Sequence, residues 1–318
     1  MATYKEIHGV KVQYRDSDAT AIEGDVWYNR STGLLKLYAV SGSWASGTNL
    51  NTSRAQGGGV GPATNNLCFT GKPDGTATWL TATEAYNGST WTEVADLSAG
   101  QANFACGGSA ESAIVAGGEP GHLTNCEEWD ASSWTAGGGL NTGRDTLRGF
   151  GASSTAALAA GGQVPSVVTI TETYDGSSWT EVGDLNVGKN KHMGLGTTTA
   201  GLITGGSNGP SAATEEWNGT GWTEVGDLNS ARETSSNMSY GTATAGMISG
   251  GSPNPVGVNT EQYNGTSWTE VGNNSGHGSG HACGGGSSTS AILAGLGTYI
   301  TTVEEWDESL GAVTFTSS

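Results

Sequence analysis

The chain has 318 residues, 54 of them Gly and only 7 Pro, with a formal net charge of −18; that is room for one large all-β domain or two ordinary ones. Charged residues make up 13%, too few to coat long solvated helices, while 11 Trp and 9 Tyr exclude a disordered chain and the absence of a G-x-y triplet period excludes collagen. No run approaches the roughly 18 apolar residues of a membrane helix, and so acidic a surface repels phosphate backbones, so neither a membrane span nor a nucleic-acid partner is expected.

Residues 1–43 differ from the rest. They balance five basic residues (Lys5, Lys11, Arg15, Arg30, Lys36) against five acidic ones (Glu6, Asp16, Asp18, Glu23, Asp25), and the other 275 residues, with 7 basic and 25 acidic, carry the whole net charge. The first six residues lack the apolar core of a signal peptide, so synthesis in the cytoplasm without that route is expected. Residues 24–29 read as a strand, 30–33 as a turn and 34–38 as a second strand, with Trp44 beyond. Gly24, Asp25, Trp27, Tyr28, Asn29, Gly33 and Leu34 form a pattern that resembles a short module at the front of tailed-phage structural proteins, those of marine phages in particular. The resemblance implies that this segment docks on other virion proteins ahead of Gly-rich repeats. Residues 1–33 are expected to dock and 34–50 to contribute to whatever the repeats build.

From residue 50 onward the chain repeats itself. An aromatic residue is followed five positions later by Trp: Tyr86/Trp91, Trp129/Trp134, Tyr174/Trp179, Trp217/Trp222 and Tyr263/Trp268. Trp306 opens a sixth copy, in which Gly311 stands where Trp is expected; 312–316 can still supply an outer strand. A short apolar run ending in Gly precedes each pair, at Gly71, Gly118, Gly162, Gly206, Gly251 and Gly295. Two residues before the first aromatic stands Glu84, Glu127, Glu172, Glu215, Glu261 or Glu304, advancing by 43, 45, 43, 46 and 43. Asn87-Gly88, Asp175-Gly176, Asn218-Gly219 and Asn264-Gly265 supply the positive φ of tight hairpins. Four strands per copy, six times over, predict an all-β six-bladed β-propeller at 44–318 with an N-terminal β-hairpin extension at 1–43; a parallel β-helix is the rival, with shorter rungs. Small residues let inner strands converge, and flat aromatic side chains fill the space between blades. Gly-Gly after an apolar run, then an aromatic and a Trp at fixed spacing, resembles the kelch repeat. That resemblance implies a propeller and leaves function open, because kelch propellers include enzymes, scaffolds and binding platforms.

The recurrent glutamates read as structural. Ten residues after successive Trp markers stand Arg54, Gln101, Arg144, Lys189, Arg232 and Gly278. Partly buried acids need partners, so Arg144 and Arg232 are expected to contact repeat glutamates. Glu93, Asp96, Glu181, Asp184, Glu224, Asp227 and Glu270 read as a solvated rim that discourages edge pairing. Cys68, Cys106, Cys126 and Cys283 show no CxxC spacing and read as small buried residues rather than disulfide or zinc partners. His277 and His281 lie in a Gly-rich stretch, where i, i+4 spacing does not face one metal.

Chemistry-bearing motifs are sparse. No phosphate-binding loop or nucleophile elbow occurs, the sialidase turn fails at Gly176, and no Tyr/His set marks a copper oxidase. No catalytic residue, metal or cofactor is expected. The expectation is a non-enzymatic virion structural protein of a tailed phage (tail fibre, appendage or capsid decoration), located on the particle surface as a homo-oligomer. Its propeller faces outward, and Trp79, Asn208 and Asn254 on polar loops contact host surface polysaccharide. The alternatives are a lectin-like propeller outside any virion and a kelch-type oxidase or glycosidase.

Overall fold

The computed structural model describes residues 12–17, 25–73, 75, 78–206, 209–234, 239–253, 256–276, 283–295 and 299–314. Among them there is no α-helix, only a 3-10 turn at Val256–Val258; all other regular structure is β. The chain divides into two compact units, Met1–Ser43 with Asp307–Ser318, and Trp44–Trp306.

In the first unit β1 (Gln13–Arg15) pairs parallel with β2 (Val26–Asn29), which pairs antiparallel with β3 (Leu34–Ser46). Asn29 shapes the turn, its Oδ1 accepting the N–H of Ser31 at 3.0 Å and of Thr32 at 3.1 Å. Trp27 is buried beneath the Arg15 guanidinium, 5.3 Å from the ring centroid, and Arg15 pairs with Asp25 at 2.7 Å.

In the second unit five antiparallel four-stranded sheets follow in chain order. The first holds β4 (Gly58–Val60), β5 (Asn66–Phe69), β6 (Thr83–Tyr86) and β7 (Trp91–Val94). The second holds β8 (Ala105–Gly108), β9 (Ala113–Ala116), β10 (Cys126–Trp129) and β11 (Trp134–Ala136). The third holds β12 (Arg148–Ser153), β13 (Ala156–Ala160), β14 (Thr171–Tyr174) and β15 (Trp179–Glu181). The fourth holds β16 (Met193–Thr197), β17 (Ala200–Thr204), β18 (Thr214–Trp217) and β19 (Trp222–Val225), and the fifth β20 (Ser239–Thr242), β21 (Ala245–Ser249), β22 (Thr260–Tyr263) and β23 (Trp268–Glu270). The last sheet has six strands, running β24 (Cys283–Gly286), β25 (Ser290–Ala294), β26 (Val303–Thr314), β3, β2 and β1.

The strand roles follow from side-chain size. First strands are rich in Gly because they pack on one another: β4 on β8, β8 on β12, β12 on β16, β16 on β20, β20 on β24, and β24 on β4. A Cβ on Gly59 would come within 2.8 Å of the Gly284 backbone, and one on Gly107 within 2.6 Å of Gly151 N. Second strands carry the apolar runs and are almost wholly buried. Third and fourth strands bring the repeat aromatics face to face across the ladder, with ring centroids 4.9 Å apart for Tyr86/Trp91 and 5.2 Å for Trp217/Trp222. The core is split into clusters between successive sheets, such as Val60, Phe69, Phe104 and Trp134 between the first and second.

Several expectations need correction. The fourth strand of the last sheet is β3, not 312–316: residues 312–314 continue β26 without a turn, and 315–316 lie outside the described residues. The Trp missing at Gly311 is supplied by Trp44, 5.6 Å from Trp306. Cys68 of β5 and Cys283 of β24 form a disulfide across 215 residues of sequence, tying the first sheet to the last; only Cys106 and Cys126 remain buried thiols. The acidic rim is solvated as expected, Glu93, Asp96, Glu181, Asp184, Glu224, Asp227 and Glu270 all being exposed. Asp96, Asp184 and Asp227 in addition each accept the N–H that opens a third strand, at Thr83, Thr171 and Thr214, all at 3.3 Å. These aspartates cap strands as well as discourage pairing.

Candidate functional site

A cavity of about 400 Å³ opens where the first strands of all six sheets end. Its walls are mostly glycine backbone. Hydrogen-bonding side chains come from Thr64, Ser109, Ser239, Tyr240, Ser287 and Ser290, and apolar surface from Val60, Phe150 and Leu195; no lining residue is charged. Tyr240 is buried, and its Oη has no hydrogen-bond partner among the described residues. Burial pushes that hydroxyl's pKa up, so it stays a neutral donor. Ser239 Oγ donates to Gly194 O at 2.6 Å, linking two first strands. Such a hollow suits a neutral polar ligand held by hydroxyls and backbone groups. Its lining offers no nucleophile hydrogen-bonded to a base.

Ionic clamps lie elsewhere, between the segments that lead into the sheets and the third strands. Arg54 pairs with Glu84 at 2.8 Å, Arg144 with Glu172, and Arg232 with Glu261 at 2.5 Å, all six side chains closed to solvent. Desolvation lowers the pKa of each arginine and the facing carboxylate offsets part of it, so the guanidinium stays charged. The second carboxylate oxygen is taken by an asparagine. Asn51 donates to Glu84 through its backbone N at 2.7 Å and Nδ2 at 2.9 Å, and Nδ2 also reaches Trp91 O at 3.0 Å. Asn141, Asn186 and Asn229 repeat this on Glu172, Glu215 and Glu261. Each incoming segment is thereby bolted to the third and fourth strands of its sheet. These asparagines are not among the residues expected from sequence. Their signal is Leu-Asn three residues before the basic position, at Leu50, Leu140, Leu185 and Leu228.

Lys189 fills the basic position of the fourth sheet less completely. Its Nζ donates to Ala213 O at 3.2 Å, and Glu215 Oε1 is left buried without a partner. Among the described residues Glu127 and Glu304 accept only from Ser98 and Ser275. Gly278, the sixth basic-position counterpart, lies outside the described residues.

The three residues expected to meet glycans are not gathered at the cavity. Trp79 is half-buried in the β5–β6 connection, its ring centroid 5.5 Å from Lys72 Nζ. That connection leaves β5 at the end where β4 begins, opposite the cavity, which collects the turns between first and second strands. Asn208 and Asn254 lie outside the described residues, as do His8, His277 and His281. His122 sits 2.8 Å from Asp145, and His192 is fully buried. Among the described residues no group of three or more His, Cys, Asp or Glu is placed to hold a metal, and no helix is long and apolar enough to cross a membrane. The chain matches no family model and no curated protein.

Proposed function

We propose that the six sheets close into a kelch-like six-bladed propeller, and that the protein is a non-enzymatic structural component of a tailed-phage particle. Residues 1–43 dock on other virion proteins, and the propeller faces outward as a homo-oligomeric display, its surface contacting host polysaccharide. Closure is supported by the unbroken succession of first-strand neighbours from β4 round to β24 and back, by the disulfide between the first and last sheets, and by Trp44 filling the last aromatic pair. A scaffold role is supported by the use of the buried ionic side chains, which hold strands together rather than line the cavity.

The observation that carries the docking role is in the first unit. Tyr14 of β1 and Tyr28 of β2 lie side by side, ring centroids 5.8 Å apart, with 70% and 37% of their surfaces exposed. Paired exposed aromatics next to the phage-type pattern at 24–34 are what an attachment surface presents. The second reading, a lectin-like propeller independent of a virion, is favoured by the neutral hydroxyl-lined cavity. An antibody against the chain, applied to purified tailed particles whose genome encodes it and viewed by electron microscopy, is expected to mark one fixed position on each particle. Particles that lack the chain, while the isolated protein binds surface polysaccharides saturably, would replace the first reading by the second.

A further inference from the structure

The second sheet departs from its siblings at the ionic clamp. Where four sheets carry Arg54, Arg144, Lys189 or Arg232 it has Gln101, and where they carry asparagine it has Ser98; the last sheet shares the serine, Ser275, and has Gly278 at the basic position. Glu127 nevertheless holds the same place on β10 that Glu84 holds on β6 and Glu172 on β14, each opposite the third residue of its fourth strand. It remains 6% exposed. It accepts the N–H of Ser98 at 3.0 Å and its Oγ–H at 2.9 Å, and no cation pairs with it among the described residues.

A cavity of about 390 Å³ stands beside Glu127, lined by Ser98, Thr124, Asn125, Cys126, Glu127 and Gly137, and the buried Gln101 is not part of its wall. Asn125 corresponds to Ala82 and Asn259, whose carbonyls accept an N–H from Arg54 and Arg232. The cavity therefore keeps the acceptors of the clamp and lacks its donor. A buried carboxylate without a cation is unfavourable, and a planar guanidinium matches a carboxylate with a carbonyl beside it. A primary ammonium matches less well: Lys189 leaves Glu215 Oε1 unpartnered in the sibling site.

We propose that this cavity binds a guanidinium group, which supplies from outside the charge that Arg54, Arg144 and Arg232 supply from within. The group can come from a free small cation or from an arginine side chain of a partner chain, and the chemistry at Glu127 is the same for both.

Titration calorimetry of the whole protein with agmatine tests this. Saturable binding is expected, weakened about tenfold or more in Glu127→Gln and abolished in Gln101→Arg, which installs the siblings' own cation and melts at a higher temperature than the parent. A short peptide with one arginine, compared with its lysine counterpart, separates the sources: arginyl peptide tighter than agmatine points to a partner chain, equal affinity to a free cation, and either supports the site. No binding of agmatine by the parent, or unchanged binding by folded Gln101→Arg, overturns it.

Discussion

The indole of Trp44 lies 5.6 Å from that of Trp306 and donates through Nε1 to Thr260 Oγ1 at 2.9 Å. Trp222 does the same in the fourth sheet, 5.2 Å from Trp217 and bonded to Thr171 Oγ1 at 3.0 Å. A residue just ahead of the repeats, and far in sequence from Trp306, thus performs the repeat's own task. Replacing a buried Trp by Ala removes large apolar contact and leaves a void, typically about 3–5 kcal/mol. Trp44→Ala is expected to lower the urea midpoint nearly as far as Trp222→Ala, somewhat less because Trp44 is half-buried. A midpoint equal to that of the parent would mean that the strand only decorates the last sheet.

Lys189 and Glu215 form the weakest of the basic clamps. The ammonium is held back at Ala213 O while Glu215 Oε1 goes unpartnered. Arginine at the same position in the third sheet, Arg144, reaches its glutamate and two strand carbonyls, those of Gly161 and Ala159. Lys189→Arg is therefore expected to stabilise by about 1.5–3 kcal/mol, the net value of one added hydrogen bond to a charged group. Chemical denaturation of the two proteins checks the sign.

Ala131 occupies a hairpin position where the sibling turns have Gly88, Gly176, Gly219 and Gly265. Its φ is +74°, against +86° to +94° for those glycines. An L side chain is strained there and Gly is not. Ala131→Gly is expected to stabilise, by about 1 kcal/mol less the added freedom of the unfolded chain, and a small rise in melting temperature is the readout. A fall would mean that unfolded-state entropy outweighs the strain.

What was legible in the sequence was local and periodic. Tyr86 and Trp91 flank the four-residue turn at 87–90, so their spacing alone announces the hairpin and the facing rings. The same logic reached Trp44, whose position fits the period. The offset of ten residues from each Trp singled out Arg144 and Arg232 but not Asn141 and Asn229 beside them, because asparagine is common in any polar loop and only the preceding Leu sets these apart. Cys68 and Cys283 were opaque because no spacing rule links residues 215 apart. The cavity at Tyr240 was equally opaque: backbone atoms of glycine build its walls, and glycine carries no sign of what its backbone faces. β1, three largely polar residues pairing parallel, offers no alternation to read.

The Cys68–Cys283 bond closes a loop of 215 residues. In the chain-entropy description so long a loop stabilises by about 5 kcal/mol, with native strain subtracting from it. Cys68→Ser with Cys283→Ser is expected to shift the urea midpoint down, and reductant to do the same to the parent but not to the double variant. If the first and last sheets already hold each other as firmly as the inner neighbours do, the variant keeps the parent's secondary structure at room temperature. A protein that opens only when this bond is cut would reveal the seam between those two sheets as the weakest.

His192 sets a pH dependence whose sign can be worked out. It is fully buried, and desolvation first, then the charges of Arg148 and Lys189, keep its pKa well below the ordinary 6.5. In the unfolded chain the imidazole protonates near its ordinary value. Above about pH 7 both states hold it neutral and it contributes nothing to the balance. As pH falls through the unfolded value, the unfolded chain takes up a proton that the folded one refuses, so stability declines, by up to about 1.4 kcal/mol per pH unit until the folded value is reached. The third sheet has Leu147 at the corresponding position, three residues after Arg144 as His192 is three after Lys189, so His192→Leu suits the site. The variant is expected to lose less stability than the parent between pH 7 and pH 5, above the range where most carboxylates titrate. Parallel urea midpoints for the two proteins across that interval would show that His192 is not the group responsible.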